Sequence, residues 1–273
     1  MSTDYEKPIG PWVRIHKPGS VHKITAEELA RWVLHVDERV IVLNKSGELP
    51  CHPSKDGPWS SLAGAVREHF GEEAAHLVFR LDRETSGVVV FARDPATARK
   101  LQMAAQEGRY DKTYLAVMTG ELPEAVMVDQ PIGDDHESPV AIKSKVVAAA
   151  AKGQTAVTRF EPLACGGGFT LVRVKTETGR KHQIRVHAQW LGHWLVGDKI
   201  YGPDAQLFLD FVENGWTPRL QEKLLLARQA LHCSEIDLRR SGVDQFFHAP
   251  MPADMRTFCR ERMGLTDEQC ARF

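Results

Sequence analysis

A mixed α+β fold is expected for this chain, and three observations predict it. Segments of helix and strand character are interspersed along the sequence. Those of strand character follow one another between about residues 113 and 179 instead of alternating with helices. The composition, 42% apolar and 26% charged over 273 residues, is that of an ordinary globular protein, which excludes disordered and collagen-like chains and leaves ample material for one core.

Taken in order, AEELARWVLH (26–35) reads as a helix opened by the capping pair Thr25 and Glu28, and it leads into the apolar strand VIVLN at 40–44. SSLAGAVREHFG ends at Gly71 as a second helix, and PATARKLQMAAQEG, with Pro95 in its first turn and Gly108 at its end, as a third. VVVFAR (88–93) between them is a strand. Residues 113–120, 155–164, 169–179 and 229–238 are rich in β-branched and aromatic residues and read as further strands. Helices are expected at 181–192, 205–215 and 253–264, each ending on glycine. Residues 1–38 form a short N-terminal extension and 39–273 a single domain, because no repeat and no linker divides the chain.

The apolar runs fall far short of the roughly 18 residues of a membrane span, and the N-terminus lacks the pattern of a secretory signal, so a cytoplasmic protein without a membrane partner is expected. Five scattered cysteines without a C-x-x-C pair suit free thiols, and neither a metal site nor a nucleotide-cofactor loop is signalled. The net charge of −1 hides a segregation. Residues 173–199 carry six basic side chains against two acidic, whereas 121–137 carry six acidic and none basic. Such a layout suits either a phosphate-attracting face on a neutral protein or two solvated segments of opposite sign.

Three segments carry candidate chemistry. In FRLDRETSGVVVFA (79–92), Asp82 stands between Arg80 and Arg83 just before a strand, where positive neighbours favour an ionised, nucleophilic or basic carboxylate; a salt-bridged turn is the other reading. In TGRKHQIRVHAQWLGHWLVGDKIYG (178–202), Arg180, Lys181 and His182 are expected in the first turn of a helix, a platform for phosphates. His182 and His187 are five residues apart, hence on different helix faces, and read as structural histidines, not zinc ligands. In KTYLAV (112–117), Lys112 and Tyr114 share a strand face, where the tyrosine suits either stacking on a base or packing in the sheet.

Together these segments resemble the RluA-type family of pseudouridine synthases, in the family's order. FRLDRETSG is similar to H-R-L-D-x-x-T-S-G, KTYLAVMTG to K-x-Y-x-A-x-x-x-G, and residues 178–202 to T-G-R-x-H-Q-I-R-V-H followed by L-G-H-P-I-x-G-D-x-x-Y-G. NKSGELPCHP (44–53), RQALHCSEIDL (228–238) and FHAPMP (247–252) resemble the remaining elements, so the likeness runs from about 38 to 255. The resemblance implies a largely antiparallel central sheet flanked by helices with an RNA-binding cleft, and isomerisation of uridine to pseudouridine in tRNA, rRNA or both. It implies no cofactor. By position, Asp82 matches the catalytic aspartate, Tyr114 the tyrosine on the target uracil and Arg185 the arginine paired with the aspartate. Arg80 matches an arginine that handles the flipped nucleotide, and Leu231 an apolar residue near the base. Arg180 and Lys181 are assigned to the RNA backbone.

Phe79 stands where the family usually has His, and Ser46 and Trp194 where it usually has Pro. The 38 residues ahead of the catalytic part are too few for the S4-type RNA-binding domain of many relatives, so RNA choice is expected to rest on the catalytic domain, acting as a monomer. Two rival readings are a catalytically silent RNA-binding protein of the same fold and a carboxylate-dependent hydrolase. The combined Asp, Tyr and Arg argue against the first, and the lack of a second suitable carboxylate against the other.

Overall fold

The computed structural model describes residues 23–52, 60–71, 75–148 and 152–273. Helix α1 (Ala26–Trp32) opens on the expected capping box of Thr25 and Glu28. It stops three residues early because Val33–Val36, strand β1, pairs antiparallel with β2 (Val40–Lys45); the sheet edge wins over the local helical pattern. Next come α2 (Leu62–Phe70), capped by Ser61, the two-residue β3 (His76–Leu77) and β4 (Ser86–Ala92). Helix α3 (Pro95–Gln106) is capped by Asp94 and followed by β5 (Asp111–Thr119).

Three short strands, β6 (Val126–Asp129), β7 (Ile132–Asp134) and β8 (Ser144–Val146), precede the long hairpin of β9 (Val157–Gly166) and β10 (Phe169–Thr176). Then follow α4 (Gln183–Trp190), α5 (Gln206–Asn214), α6 (Pro218–Leu224), β11 (Leu231–Asp237), β12 (Phe246–His248), α7 (Ala253–Met263) and α8 (Asp267–Ala271). The sequence pattern does not announce β1, β3, β6, β7, β8, β12, α6 or α8, since each is too short to display a period.

The main sheet runs β1-β2-β4-β11-β5-β10-β9-β6, with β3 also on β4 and β12 also on β11. Its pairings are antiparallel apart from β4 with β11, where Ser86 lies opposite His232 and Gly87 opposite Cys233. That parallel seam explains the glycine of the Thr-Ser-Gly run. Gly87 has φ +112°, and a Cβ there would lie 2.2 Å from the Cys233 carbonyl oxygen.

Both faces of the sheet are covered, and β5 shows the division by its period of two. Tyr114, Ala116 and Met118 join the large core that includes residues of α1, α2 and α3. Leu115 and Val117 turn to the opposite face, against Met255, Phe258 and Cys259 of α7. The same alternation delivers Tyr114 to the face where α4 lies, since Ile184 and Ala188 belong to its core. All five cysteines are unpaired and four are buried.

Candidate active site

Asp82 sits in the turn that feeds β4, closed by the Thr85 amide donating to the Asp82 carbonyl at 3.1 Å. The turn is held from below by Lys45, the fully buried end of β2. Its ammonium donates to the carbonyls of Ser46, Leu49 and Arg83 at 2.7, 2.8 and 2.9 Å. From the far end of the chain, Gln229 donates to Thr85 Oγ1 at 2.8 Å, and Arg228, clamped on Asp254, reaches the Glu84 carbonyl at 3.2 Å. The carboxylate that the sequence singles out is therefore carried by a braced loop.

Arg185, on the buried face of α4, donates from Nη1 to Asp82 Oδ2 at 2.9 Å. Its Nε and Nη2 grip Asp198 at 2.6 and 2.9 Å, and Asp198 Oδ1 accepts the amides of Ile200 and Tyr201 as well. Asp198 is wholly buried, whereas the Asp82 side chain keeps 31% of its surface exposed. Burial on its own would raise the pKa of Asp82, but the charge of Arg185 and the bonds from Arg185 and Gln229 outweigh it and hold the carboxyl below its usual value. The result is an ionised carboxylate with one face toward the cleft.

His182 departs from expectation. It precedes α4 as its N-cap, with φ 56°, a left-handed conformation uncommon outside glycine. Arg180 and Lys181 likewise precede the helix, so the anticipated first-turn platform is instead a turn ahead of it. The amide of Arg180 donates to Gln183 Oε1 at 3.0 Å, and its Nε to the Thr155 carbonyl at 3.0 Å. Gln183 completes its valence with Thr178, Val157 and Thr158, tying the start of α4 to the ends of β9 and β10.

The His182 ring is part of the site, not a structural bystander. The Ser144 amide donates to the Tyr201 hydroxyl at 2.9 Å, and the same hydroxyl hydrogen-bonds His182 Nδ1, also at 2.9 Å. His182 Nε2 faces Asp82 Oδ2 at 3.9 Å. Burial, reinforced by the charge of Arg185, lowers its pKa to about 4 and keeps the ring neutral. His187, by contrast, is the structural histidine expected, buried between Thr158 Oγ1 and the Gln130 carbonyl.

Six of the seven sequence candidates, Arg80, Asp82, Tyr114, Arg180, Arg185 and Leu231, line one cavity of about 100 Å³. Lys181 lies in an adjoining hollow of about 270 Å³ that shares Arg80, Asp82 and His182 with the first. Tyr114 is buried, which pushes its hydroxyl well above the ordinary value and keeps it protonated. Arg80 and Lys181 are exposed at the rim. The cleft thus joins an ionised carboxylate, a neutral phenol, a neutral imidazole and a cationic border, a set suited to acid–base and nucleophilic work on a polyanion. Asp198 and Lys45 were not singled out as candidates, and His182 was read as a platform or structural residue, not as a neighbour of the carboxylate. A charged Asp in the apolar run WLVGDKIYG was the available signal for the first.

A family model described as RNA pseudouridylate synthase matches residues 39–190. An uncharacterized RNA pseudouridine synthase of Bacillus subtilis, YhcT, is 33% identical over 237 residues, 84% of this chain and 71% of that protein. The ribosomal large subunit pseudouridine synthase D of Vibrio parahaemolyticus is 32% identical over 256 residues, 89% of this chain and 76% of that protein. Among solved structures, human RNA pseudouridylate synthase domain containing 4 superposes with a TM-score of 0.68 at 26% identity, covering 88% of this chain and 95% of that one.

Proposed function

The chain belongs to the RNA pseudouridylate synthase family and is an isomerase of uridine in RNA, and from that premise we propose that Asp82 starts the reaction with Tyr114 and Arg185 beside it. The conversion breaks the N1–C1′ bond, turns the ring, joins C5 to C1′ and removes the C5 proton. It needs no redox partner. The observation that carries the assignment is the 2.9 Å contact of Arg185 Nη1 with Asp82 Oδ2, made by a guanidinium already fixed on Asp198. An ionised carboxylate on a braced loop suits addition to the uridine, or removal of its 2′ proton, at neutral pH.

Tyr114 and Leu231 line the same cavity and offer the uracil a flat apolar seat. Taking a base out of a stem costs a few kcal/mol, and stacking on an aromatic ring returns roughly 1–3 kcal/mol. Arg80, exposed at the mouth, helps Tyr114 secure the flipped uridine, while Arg180 and Lys181 hold the backbone. For the RNA class we place large-subunit rRNA first, because the Vibrio relative bears that name, and tRNA second.

Release of tritium from C5-labelled uridine in separate unmodified rRNA and tRNA transcripts tests the reading. Release that disappears in Asp82→Asn, with the variant still folded and RNA-bound, is the expected result. More than a few per cent of parental turnover in that variant would remove Asp82 from the chemistry, and free uracil as product would favour a hydrolase.

A further inference from the structure

The well-buried cations around the cleft are committed. Arg185 is held by two carboxylates, Lys45 by three carbonyls and Lys199 by Glu84. Lys112, at the start of β5, differs. It lines the cavity with Tyr114, yet among the described residues it has no carboxylate within ion-pair distance. Its Nζ instead sits 5.1 Å from the centre of the Phe79 ring and 5.9 Å from that of Tyr110, two rings that themselves pack 6.2 Å apart. On its other side is Gly179, where a Cβ would lie 3.8 Å from Nζ. Asp82 lines the same cavity, but its carboxylate is taken up by Arg185. Burial pushes the Tyr110 hydroxyl and the Cys233 thiol up to about 12, so both stay neutral.

Ring faces attract an ammonium but do not neutralise it, and burial lowers its pKa. Phe79, unlike a histidine, adds no nitrogen that could compete as donor or acceptor. Such a half-satisfied cation gains most from an anion that arrives with the substrate. Lys112 and Tyr114 share one strand face two residues apart, roughly 7 Å along the strand, comparable with the span from a base to the phosphate of its own nucleotide.

We infer that Lys112 is a phosphate-binding residue, whose ammonium, seated on the Phe79 and Tyr110 rings beside Gly179, takes the phosphodiester adjoining the target uridine. The inference rests on the uridine-isomerase reading for its ligand, but the anion site is testable without RNA.

The first arm is NMR of the full chain with isotopically labelled lysine, Lys112 being assigned by its absence in Lys112→Arg, during a titration with inorganic phosphate at fixed ionic strength. The Lys112 signal is expected to move and its titration midpoint to rise. A signal indifferent to phosphate overturns the inference whether or not the protein isomerises uridine. The second arm measures binding of the unmodified transcripts against salt. Lys112→Met is expected to bind roughly tenfold more weakly, with a log–log salt slope smaller by about 0.7–0.9, while Lys112→Arg keeps the parental slope. A parental slope in folded Lys112→Met also overturns it. A phosphate response in a protein that releases no tritium supports the anion site and removes only the isomerase reading.

Discussion

Arg185 meets Asp82 through a single nitrogen, Nη1 at 2.9 Å from Oδ2, while Nε and Nη2 are both committed to Asp198. Two fixed nitrogens of a planar fork leave the third no freedom of direction. The position of the proposed catalytic carboxylate is thus set by a carboxylate that never touches the cleft.

Asp198→Asn removes half of the charge facing the buried Arg185. One partner lost from a buried pair leaves the other uncompensated, so destabilisation of about 3–5 kcal/mol is expected in urea denaturation. A change below about 1 kcal/mol would mean that Asp82 alone satisfies the guanidinium.

Tyr114→Phe keeps the ring face and loses a hydroxyl that burial holds protonated. RNA binding is expected to stay near the parental level, with turnover lowered roughly tenfold or more if the hydroxyl takes part in proton transfer. Equal turnover in single-turnover assays would confine the residue to stacking.

Gly87→Ala sets a methyl 2.2 Å from the Cys233 carbonyl oxygen at φ +112°. Strain and overpacking at the parallel seam are expected to cost on the order of 3 kcal/mol. Chemical denaturation of the variant checks this, and a loss within error of zero would show that β4 and β11 separate freely.

Acid is expected to weaken the fold through its buried histidines. His232 is wholly buried, its Nε2–H donating to the Ala249 carbonyl at 3.0 Å and its Nδ1 accepting from the Ser86 hydroxyl at 2.9 Å. Burial lowers its pKa from 6.5 to about 4, as it does for His182. Between those values the unfolded chain binds more protons than the folded one, so stability is complete above pH 6.5 and falls as pH drops toward 4. The full loss is about 3 kcal/mol per site. Urea midpoints across this range, compared with His232→Gln, test the assignment; equal pH slopes would contradict it.

The sequence was most legible where chemistry imposed composition. An Asp between arginines, a Lys-x-Tyr on a strand and an Arg in an apolar helix all reach one cleft, and the motif resemblance supplied the order in which to join them. What stayed hidden depends on contacts distant in sequence. Asp198 was not singled out because its partner's burial is a tertiary fact. His182 looked structural because helical spacing was applied to a residue that lies outside the helix, at φ 56°. The helix expected over 26–35 ended early for the same kind of reason, since Val33–Val36 found β2 across a turn.

Strand β11 lies between β4, which follows Asp82, and β5, which carries Tyr114. It follows Asp82, Tyr114 and Arg185 along the chain, so a nascent chain on the ribosome has synthesised all three before the strand that seats the first two side by side. Until then the two flanking groups of strands have no common ladder. β11 is thus the keystone of the cleft, the one strand through which the Asp82 side and the Tyr114 side of the sheet share a ladder among the described residues.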